Sequence, residues 1–331
     1  MTDADAMRHA IEVAAGARVV AHPNPWVGCV LLTPSGRVVE GATRPPGEAH
    51  AERVALDAAG PDATGATVVV TLEPCSFQGR TGPCADALVE AGVRRVVVGV
   101  LDPDPRVAGT GVRRLQEAGI EVTVGVLAAE VEDQLTAYLH QRRTGRPYVV
   151  TKLAASLDGR TAAPDGTSRW ITGAEARTDA HRLRAESDAV LVGAGTVRAD
   201  DPALTVRHVE GPEPERIVLG VAPPDAAVRP CREVRGPLDQ LLDGLGREGM
   251  VQVLVEGGAT VIGDLHRAGL VDRYVLYLAP VLFGGDDALG LFAGPGAATI
   301  DDAWRGSIEA IERLGADVRV DLVPGPTTDQ N

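Results

Sequence analysis

The chain has 331 residues, 44% of them hydrophobic, and this length predicts two domains of roughly 150 residues, each able to bury its own core. Its 32 basic and 46 acidic residues give a net charge of -14, and such a surface repels a polyphosphate backbone, so we expect no nucleic-acid partner. No run approaches the roughly 20 apolar residues of a membrane span, and the acidic start lacks the layout of a secretory signal, so we expect a cytoplasmic protein.

Short valine-rich runs alternate with helical patterns through the first half of the chain. The helical segments at 50–60 and 84–92 each close with a glycine, and the apolar runs lie at 27–32, 66–72 and 94–101. This alternation predicts a layered α/β domain.

The second half repeats the alternation after the segment RTGRP at 143–147, which predicts a domain boundary. We therefore expect one domain over 1–145, a second over 146–325 and a disordered tail over 326–331. The candidate strands of the second domain begin at residues 148, 188, 216, 251 and 272.

A histidine and two cysteines of the first half have the arrangement of a zinc site. His50 opens a helix, Cys75 follows a strand in Pro74-Cys75, and Cys84 begins the next helix. One imidazole and two thiolates can hold zinc while a fourth position stays open for water, as in catalytic sites. Glu52, two residues after His50, is then the expected proton carrier between that water and departing ammonia.

Each of these residues alone would more often be a helix cap or a small buried residue. Together, HAE, a strand, LEPC and a second Pro-Cys pair favour a zinc deaminase. The spacing departs from the deaminase signature of two residues between the cysteines, because the longer loop SFQGRTGP separates Cys75 from Cys84. That loop leaves room for a substrate group.

The strings LEPCSFQGRTGPC, NPWVGCV and HAE resemble the deaminase half of the bifunctional riboflavin-biosynthesis deaminase/reductase family. The resemblance implies a cytidine-deaminase-like three-layer fold, zinc on His50, Cys75 and Cys84, and Glu52 as proton carrier. It also implies that Asn24 faces the pyrimidine ring and that Arg80 contacts the phosphoribosyl end. A guanidinium on a loop between glycines suits a phosphate, although a solvated loop arginine is the alternative.

The second half contains TKLAASLDGR, SRWIT, VGAGTVRADDPALTVR and LVEGG, which together resemble the reductase half of the same family. The resemblance implies a dihydrofolate-reductase-like fold that uses NADPH. The implied substrate contacts are Ser168, Arg184, Leu204, Arg207 and Glu256, and the implied cofactor contacts are Ala154, Trp170, Thr196, Asp200 and the turn beginning at Gly258.

Two arginines and a glycine pair of this half also have a physical case. Arg184 and Arg207 suit a phosphate clamp, and the helix start after Gly257-Gly258 suits a cofactor phosphate. The nicotinamide supplies the hydride for the opened ribose, and the protein must supply a proton, for which Lys152 and Asp200 are our candidates.

Three features depart from the family pattern. Phe77 stands where a histidine is usual, and Thr43 replaces a histidine ahead of HAE, so the contacts to the ribose phosphate are expected to change. The segment 222–250 is short, and we expect it to lack a strand of the cofactor pocket.

The sequence therefore leaves several functions open. The first is a bifunctional enzyme that deaminates and reduces a small phosphoribosylamino-pyrimidine with zinc and NADPH. Alternatives are a deaminase whose second domain only holds substrate or dimerises, a nucleoside or nucleic-acid deaminase, and a binding module with structural zinc. Apolar strands such as YVLYLAPVLFG favour self-association as a dimer or tetramer.

Overall fold

The computed structural model of the chain describes residues 1–78 and 82–325. The chain divides into two compact units, Met1–Gly145 and Arg146–Asn331. Among the described residues, no helix combines the length and the apolar character needed to cross a membrane. The tail expected to be disordered, 326–331, lies outside the described residues.

The first unit alternates strands and helices around one sheet. Its strands are β1 (Gly28–Leu32), β2 (Val38–Ala42), β3 (Thr67–Leu72), β4 (Arg95–Val100) and β5 (Glu121–Val124). Its helices are α1 (Asp3–Ala15), α2 (Ala51–Ala59), α3 (Cys84–Glu90), α4 (Thr110–Glu117), α5 (Ala128–Gln134) and α6 (Thr136–Thr144), and a short 3-10 helix covers Gly60–Ala63.

Within residues 1–78 and 82–145 the strands form one sheet in the order β2-β1-β3-β4-β5. β1 runs antiparallel to β2 and β3, whereas β3, β4 and β5 are parallel. The valine runs of β3 and β4 are buried, as expected for parallel strands covered by helices on both faces.

Two glycines let helices approach this sheet closely on opposite faces. A Cβ on Gly28 would lie 1.9 Å from the carbonyl oxygen of Ala10 in α1, and one on Gly41 would lie 2.1 Å from that of Ala51 in α2. Gly41 pairs with Cys29, the neighbour of Gly28, so the two glycines face opposite sides of the sheet. The helices α1 and α2 therefore form the outer layers of a three-layer arrangement.

The second unit has a larger sheet. Its strands are β6 (Tyr148–Ser156), β7 (Arg160–Ala162), β8 (Ala189–Gly193), β9 (Glu215–Leu219), β10 (Arg232–Val234), β11 (Gln252–Glu256), β12 (Arg273–Ala279), β13 (Leu289–Gly290), β14 (Gly306–Leu314) and β15 (Asp317–Pro324). Its helices are α7 (Ala174–Ala185), α8 (Ala194–Asp200), α9 (Leu238–Arg247) and α10 (Ala259–Arg267).

Within residues 146–325 the main sheet has the order β10-β9-β8-β11-β6-β12-β15-β14, and β7 pairs with β13 separately. The strands from β10 to β12 are parallel, and β15 and β14 add an antiparallel edge. Leucines of α9 and α10 pack with valines of β6 and β11 in a buried apolar cluster. Each such side chain contributes about 1.5–3 kcal/mol when fully buried.

Lys152 on β6 and Glu256 on β11 are neighbours in the sheet ladder, so their side chains share one face of the sheet. Valines 253 and 255, which alternate with Glu256, contribute instead to the apolar cluster. One face of the sheet therefore carries the apolar core, and the other carries charged groups near α7.

Candidate active sites

The three residues predicted to hold zinc lie together in the first unit. His50 is the residue that caps the start of α2, Cys75 follows β3, and Cys84 is the first residue of α3. The Nδ1 atom of His50 is 3.6 Å from the Sγ of Cys75 and 3.3 Å from the Sγ of Cys84. All three donor atoms lie within 4.8 Å of one another.

These separations fit a zinc ion. Zn–N and Zn–S bonds of about 2.0–2.1 and 2.3 Å at a tetrahedral angle place nitrogen and sulfur about 3.6 Å apart. Three donors leave a fourth tetrahedral position for water, which distinguishes a catalytic from a structural site. Among the described residues, no other group of three or more histidine, cysteine and acidic side chains has a geometry that could hold a metal ion.

Glu52 is buried beside this cluster on the first turn of α2, with only 4% of its surface exposed. Burial, followed by the nearby negative charge of Cys75, raises the pKa of Glu52 to about 7, against opposing contributions from His50 and Cys84. The structure thus brings a carboxyl group next to the predicted metal ligands in a site largely shielded from water.

Cys75 is held by the start of α3. The backbone N–H of Cys84 lies 3.4 Å from the Sγ of Cys75, and the N–H of Ala85 donates to the Cys75 carbonyl at 3.1 Å. The hydrogen bond from the Cys84 thiol, with those from His50 and the Cys84 backbone, lowers the pKa of Cys75 to about 4. Cys75 is therefore prepared to act as a thiolate ligand.

Glu73 was not among the predicted site residues, although it precedes Pro74-Cys75. It is 4% exposed, and its Oε2 accepts from the backbone N–H groups of Asp102 at 3.3 Å and Gly109 at 2.9 Å. Its Oε1 accepts from the N–H of Val112 at 3.1 Å. Gly109 and Val112 belong to the start of α4, so this carboxylate ties the segment before Cys75 to that helix.

Two of the departures from the family pattern have structural partners. The hydroxyl of buried Thr43 accepts from the backbone N–H of Val27 at 3.0 Å, so it supports the loop before β1. The ring of Phe77 is covered by the guanidinium of Arg106, 4.6 Å from the ring centre. The carboxylate of Asp104 accepts hydrogen bonds from the Nε and Nη2 groups of Arg106.

Asn24, predicted to face the pyrimidine, is half-buried in the loop between α1 and β1. Its backbone N–H donates to Ala21, while no side-chain hydrogen bond ties its amide to another described residue. Arg80, predicted to contact the phosphoribosyl end, lies outside the described residues.

In the second unit, the structure brings together three of the predicted residues. Arg184 on α7 makes a bidentate contact with Glu256 at the end of β11, with Nη2 and Oε2 2.9 Å apart. The Nζ of Lys152 is 3.8 Å from the same Oε2. Burial opposes the charge on Glu256, but Arg184 and Lys152 outweigh it and lower its pKa. Glu256 is therefore held as an anion between two cations.

The segment after α8 brings further predicted substrate contacts towards Arg184. The Nη1 of Arg184 donates to the carbonyl of Thr205 at 3.0 Å, and Arg207 follows two residues later with an exposed side chain. Leu204 is buried with a left-handed φ of 53°. Ser168 is half-buried in the loop after β7, and no hydrogen bond joins it to these residues in the described part of the chain.

The predicted cofactor turn is built closely around a threonine. Gly257 and Gly258 have φ values of 99° and 72°. A Cβ on Gly258 would lie 3.0 Å from the Oγ1 of Thr196, and one on Gly257 would lie 3.3 Å from its Cγ2. Gly258 caps the start of α10. Two of the predicted contacts, Thr196 and Gly258, thus form one cradle where backbone and hydroxyl donors can approach a phosphate, which fits NADPH.

The other predicted cofactor residues lie around α8 and β6. Ala154 is on β6, opposite Tyr277. Trp170 is exposed, and the guanidinium of Arg177 stacks 4.7 Å from its ring centre. The guanidinium of Arg169 contacts the backbone carbonyl of Asp200, the last residue of α8. Asp200 and the segment that carries Trp170 are therefore neighbours.

One expectation for this unit was wrong. The segment 222–250 was expected to lack a strand, but β10 pairs parallel with β9, from Arg232 opposite Ile217 to Val234 opposite Leu219. Three residues are too few to show a periodic pattern, and their pairing depends on a neighbouring strand. The strand order therefore gives no support to a cofactor pocket trimmed in this segment.

Comparisons with known proteins match both units. The family described as "Cytidine and deoxycytidylate deaminase zinc-binding region" matches residues 1–100, and "RibD C-terminal domain" matches residues 147–320. Riboflavin biosynthesis protein RibD of Escherichia coli is 42% identical, covering 98% of this chain and 100% of the relative. RibD of Mycobacterium tuberculosis is 44% identical, covering 96% of each.

Solved structures agree with these relatives. RibD of Acinetobacter baumannii has a TM-score of 0.92 at 37% identity, covering 98% of this chain and 99% of that one. A diaminohydroxyphosphoribosylaminopyrimidine deaminase / 5-amino-6-(5-phosphoribosylamino)uracil reductase of Thermotoga maritima has a TM-score of 0.88 at 32% identity, covering 97% and 98%.

The fold and the two sites thus define a zinc-dependent deaminase joined to an NADPH-dependent reductase in one chain. The predicted fold class, a cytidine-deaminase-like domain followed by a dihydrofolate-reductase-like domain, is confirmed. The chain belongs to the RibD family of bifunctional riboflavin-biosynthesis enzymes. The alternative of a deaminase with an inactive second domain is not favoured.

Proposed function

We propose that residues 1–145 form the deaminase domain, that residues 146–325 form the reductase domain, and that both act in succession on one phosphoribosylamino-pyrimidine. The first step deaminates 2,5-diamino-6-(phosphoribosylamino)pyrimidinone. The second step reduces the ribosyl group of the deaminated product to ribityl. The observation that carries this proposal is the His50, Cys75 and Cys84 donor set with Glu52 buried beside it.

In the deaminase step, His50, Cys75 and Cys84 would hold a zinc ion, which would supply an activated water. Glu52 would take a proton from that water and deliver it to the leaving nitrogen, as oxygen bonds to the ring carbon and the carbon–nitrogen bond breaks to release ammonia. Its burial excludes bulk water from this transfer. The side-chain amide of Asn24 would contact the pyrimidine ring of the substrate. Arg80 would contact its phosphoribosyl end.

In the reductase step, bound NADPH would supply the hydride for the carbon of the opened ribose. The cradle of Thr196 and Gly258 would hold a cofactor phosphate, with Ala154, Trp170 and Asp200 as further contacts. Lys152 and Asp200 are the candidates for delivering the proton that accompanies the hydride. The ammonium group of Lys152 is supported for this role by its place beside Glu256.

The substrate of the reductase step is assigned to the charged face of the sheet near α7. Arg184 and Arg207 would bind its phosphate, Glu256 would orient Arg184, and Ser168 and Leu204 would line the remainder of the site. The bidentate contact between Arg184 and Glu256 supports this assignment because it fixes the guanidinium plane.

The proposal includes self-association as a dimer or tetramer and a cytoplasmic location. The edge strand β14 exposes Ile308 and Ile311, which supports pairing between copies. None of the four cysteines, all of which lie in the described residues, forms a disulfide, which supports a reducing compartment. Sedimentation of the purified protein measures the first point, and a monomer at all concentrations would contradict it.

Incubation of zinc-loaded protein with the diaminopyrimidine ribotide, with and without NADPH, tests the central proposal. Without NADPH, mass spectrometry should show an amine replaced by oxygen. With NADPH, the product should also gain two hydrogens while NADPH is oxidised. Absence of ammonia release would contradict the deaminase assignment, and deamination without NADPH oxidation would contradict the reductase assignment.

A further inference from the structure

His181 is a buried imidazole on α7 that lies between the two predicted phosphate-binding arginines. It is 4% exposed. Its Nδ1 accepts a hydrogen bond from the backbone N–H of Arg207 at 3.1 Å, and its Nε2 is 3.5 Å from the Nη1 of Arg184. The ring of His208 meets it edge-on, with the ring centres 4.5 Å apart.

The hydrogen positions on this ring follow from its partners. A neutral imidazole has one N–H and one acceptor nitrogen. Because the Arg207 backbone group can only donate, Nδ1 is the acceptor and Nε2 carries the hydrogen. Burial and then the charges of Arg184, His208 and Arg207 lower the pKa of His181 to about 4, against the opposing effect of Glu256. The ring is therefore neutral near pH 7.

Two donors then lie side by side without a shared acceptor. The Nη1 group of Arg184 can only donate, and one of its two hydrogens goes to the Thr205 carbonyl. The Nη1 nitrogen of Arg184 and the Nε2 nitrogen of His181 are 3.5 Å apart, and each carries a hydrogen that needs an acceptor. An oxygen of an anion placed against both nitrogens would accept from both.

The charges around this pair favour an anion. Glu256 is already occupied by a bidentate contact with Arg184, and Glu213 is engaged by the backbone N–H of Val206. The cationic groups in the same neighbourhood are Lys152, Arg184 and Arg207.

We propose that the Nε2–H of His181 is a substrate-binding donor that acts with Arg184 on a phosphate oxygen at the phosphoribosyl end of the reductase substrate. This inference rests on the proposed function of the second unit. It assigns His181 two tasks: Nδ1 fixes the Arg207 segment, and Nε2 contacts the phosphate.

Two substitutions separate these tasks. His181→Asn retains a polar atom near the position of Nδ1 and removes the Nε2 donor, whereas His181→Gln places its amide near Nε2 and leaves the Arg207 N–H without its acceptor. His208→Asn is the matched control, because His208 is exposed and contacts His181 only through its ring.

The affinity of each zinc-loaded, full-length variant for ribose 5-phosphate is measured by calorimetry, with ribose as the uncharged comparison. A hydrogen bond to a charged group accounts for about 10-fold to 100-fold in affinity. We expect His181→Asn to lose that much affinity for ribose 5-phosphate with an unchanged melting temperature. We expect His181→Gln to melt at a lower temperature with a smaller loss of affinity, and His208→Asn to behave as the wild type.

Unchanged ribose 5-phosphate affinity in a folded His181→Asn protein would overturn the proposal. If that variant does not fold, the Nε2 nitrogen-15 resonance of the wild-type protein decides: a shift with ribose 5-phosphate and none with ribose supports the contact, and no shift with either overturns it. NADPH oxidation by the wild type is measured in parallel. Its absence would contradict the proposed function, whereas normal wild-type turnover with normal phosphate binding by His181→Asn would contradict this inference alone.

Discussion

Glu73→Gln should weaken zinc binding and destabilise the first unit, although Glu73 is not a metal ligand. The carboxylate satisfies three backbone N–H groups at 2.9, 3.1 and 3.3 Å. The oxygen of a glutamine amide can serve the two groups on one side, but its NH2 group then faces the N–H of Val112. One buried donor therefore loses its acceptor, and the start of α4 loses a negative charge.

The magnitude follows from these two losses. An unsatisfied buried donor costs about 1–3 kcal/mol, and removal of a charge from a helix start costs about 0.3–1 kcal/mol. A loss of about 2 kcal/mol would lower the melting temperature of a unit of this size by about 4–8 °C. Loss of a group that orients a metal ligand typically weakens metal affinity by about 10-fold to 100-fold.

The assay compares Glu73→Gln with Glu117→Gln, a control on the exposed side of the same helix. Zinc affinity is measured by competition with a chelator, and the visible spectrum of the cobalt-substituted protein reports the geometry of the donor set. We expect both readouts to change in Glu73→Gln and neither in Glu117→Gln. A lower melting temperature with wild-type zinc affinity and cobalt spectrum would refute the positioning role and leave Glu73 as a fold-stabilising group only.

Three further outcomes are expected. Glu52→Gln should retain zinc, as measured by metal analysis, and slow ammonia release by about 10²-fold to 10⁴-fold; an unaffected rate would remove Glu52 from the chemistry. Gly258→Ala should raise the KM for NADPH without changing deamination, because its φ of 72° and its contact with Thr196 both resist a Cβ; an unchanged KM would place the cofactor elsewhere. The pKa of His181 falls on folding to about 4, from roughly 6.5 in an unfolded chain. Protons therefore bind more readily to the unfolded chain, so the stability that depends on the neutral ring is complete above about pH 6.5 and declines towards pH 4. Unfolding of the wild type across this range should show that decline and His181→Asn should show less of it, whereas equal pH dependence would contradict the assignment.

The cluster of His50, Cys75 and Cys84 was predictable because its signal is local. Each lies at the start of a helix or the end of a strand, within a short string whose residue types are rarely combined. The parallel strands were equally visible, since buried valine runs such as 67–72 leave little choice of structure. Local composition therefore identified both the donor set and the layers that position it.

What the sequence could not provide depends on partners distant along the chain. Glu73 reads as an ordinary acidic residue until the amides of α4, 36 and 39 residues away, close around it. Arg184 and Glu256 were each predicted as substrate contacts, but their pairing across 72 residues follows only from the folded sheet. The proposed role of His181 depends in the same way on the backbone N–H of Arg207, which donates to its Nδ1.

The close packing of Gly41 against α2 links this position on the sheet to the predicted zinc site. Ala51, whose carbonyl a Cβ at Gly41 would strike, stands between His50 and Glu52. A methyl group added at Gly41 would therefore push the backbone that carries both the predicted metal ligand and the predicted proton carrier. Gly41 therefore sets the position of the predicted zinc-site residues on α2, although it lies on a neighbouring strand and has no side chain of its own.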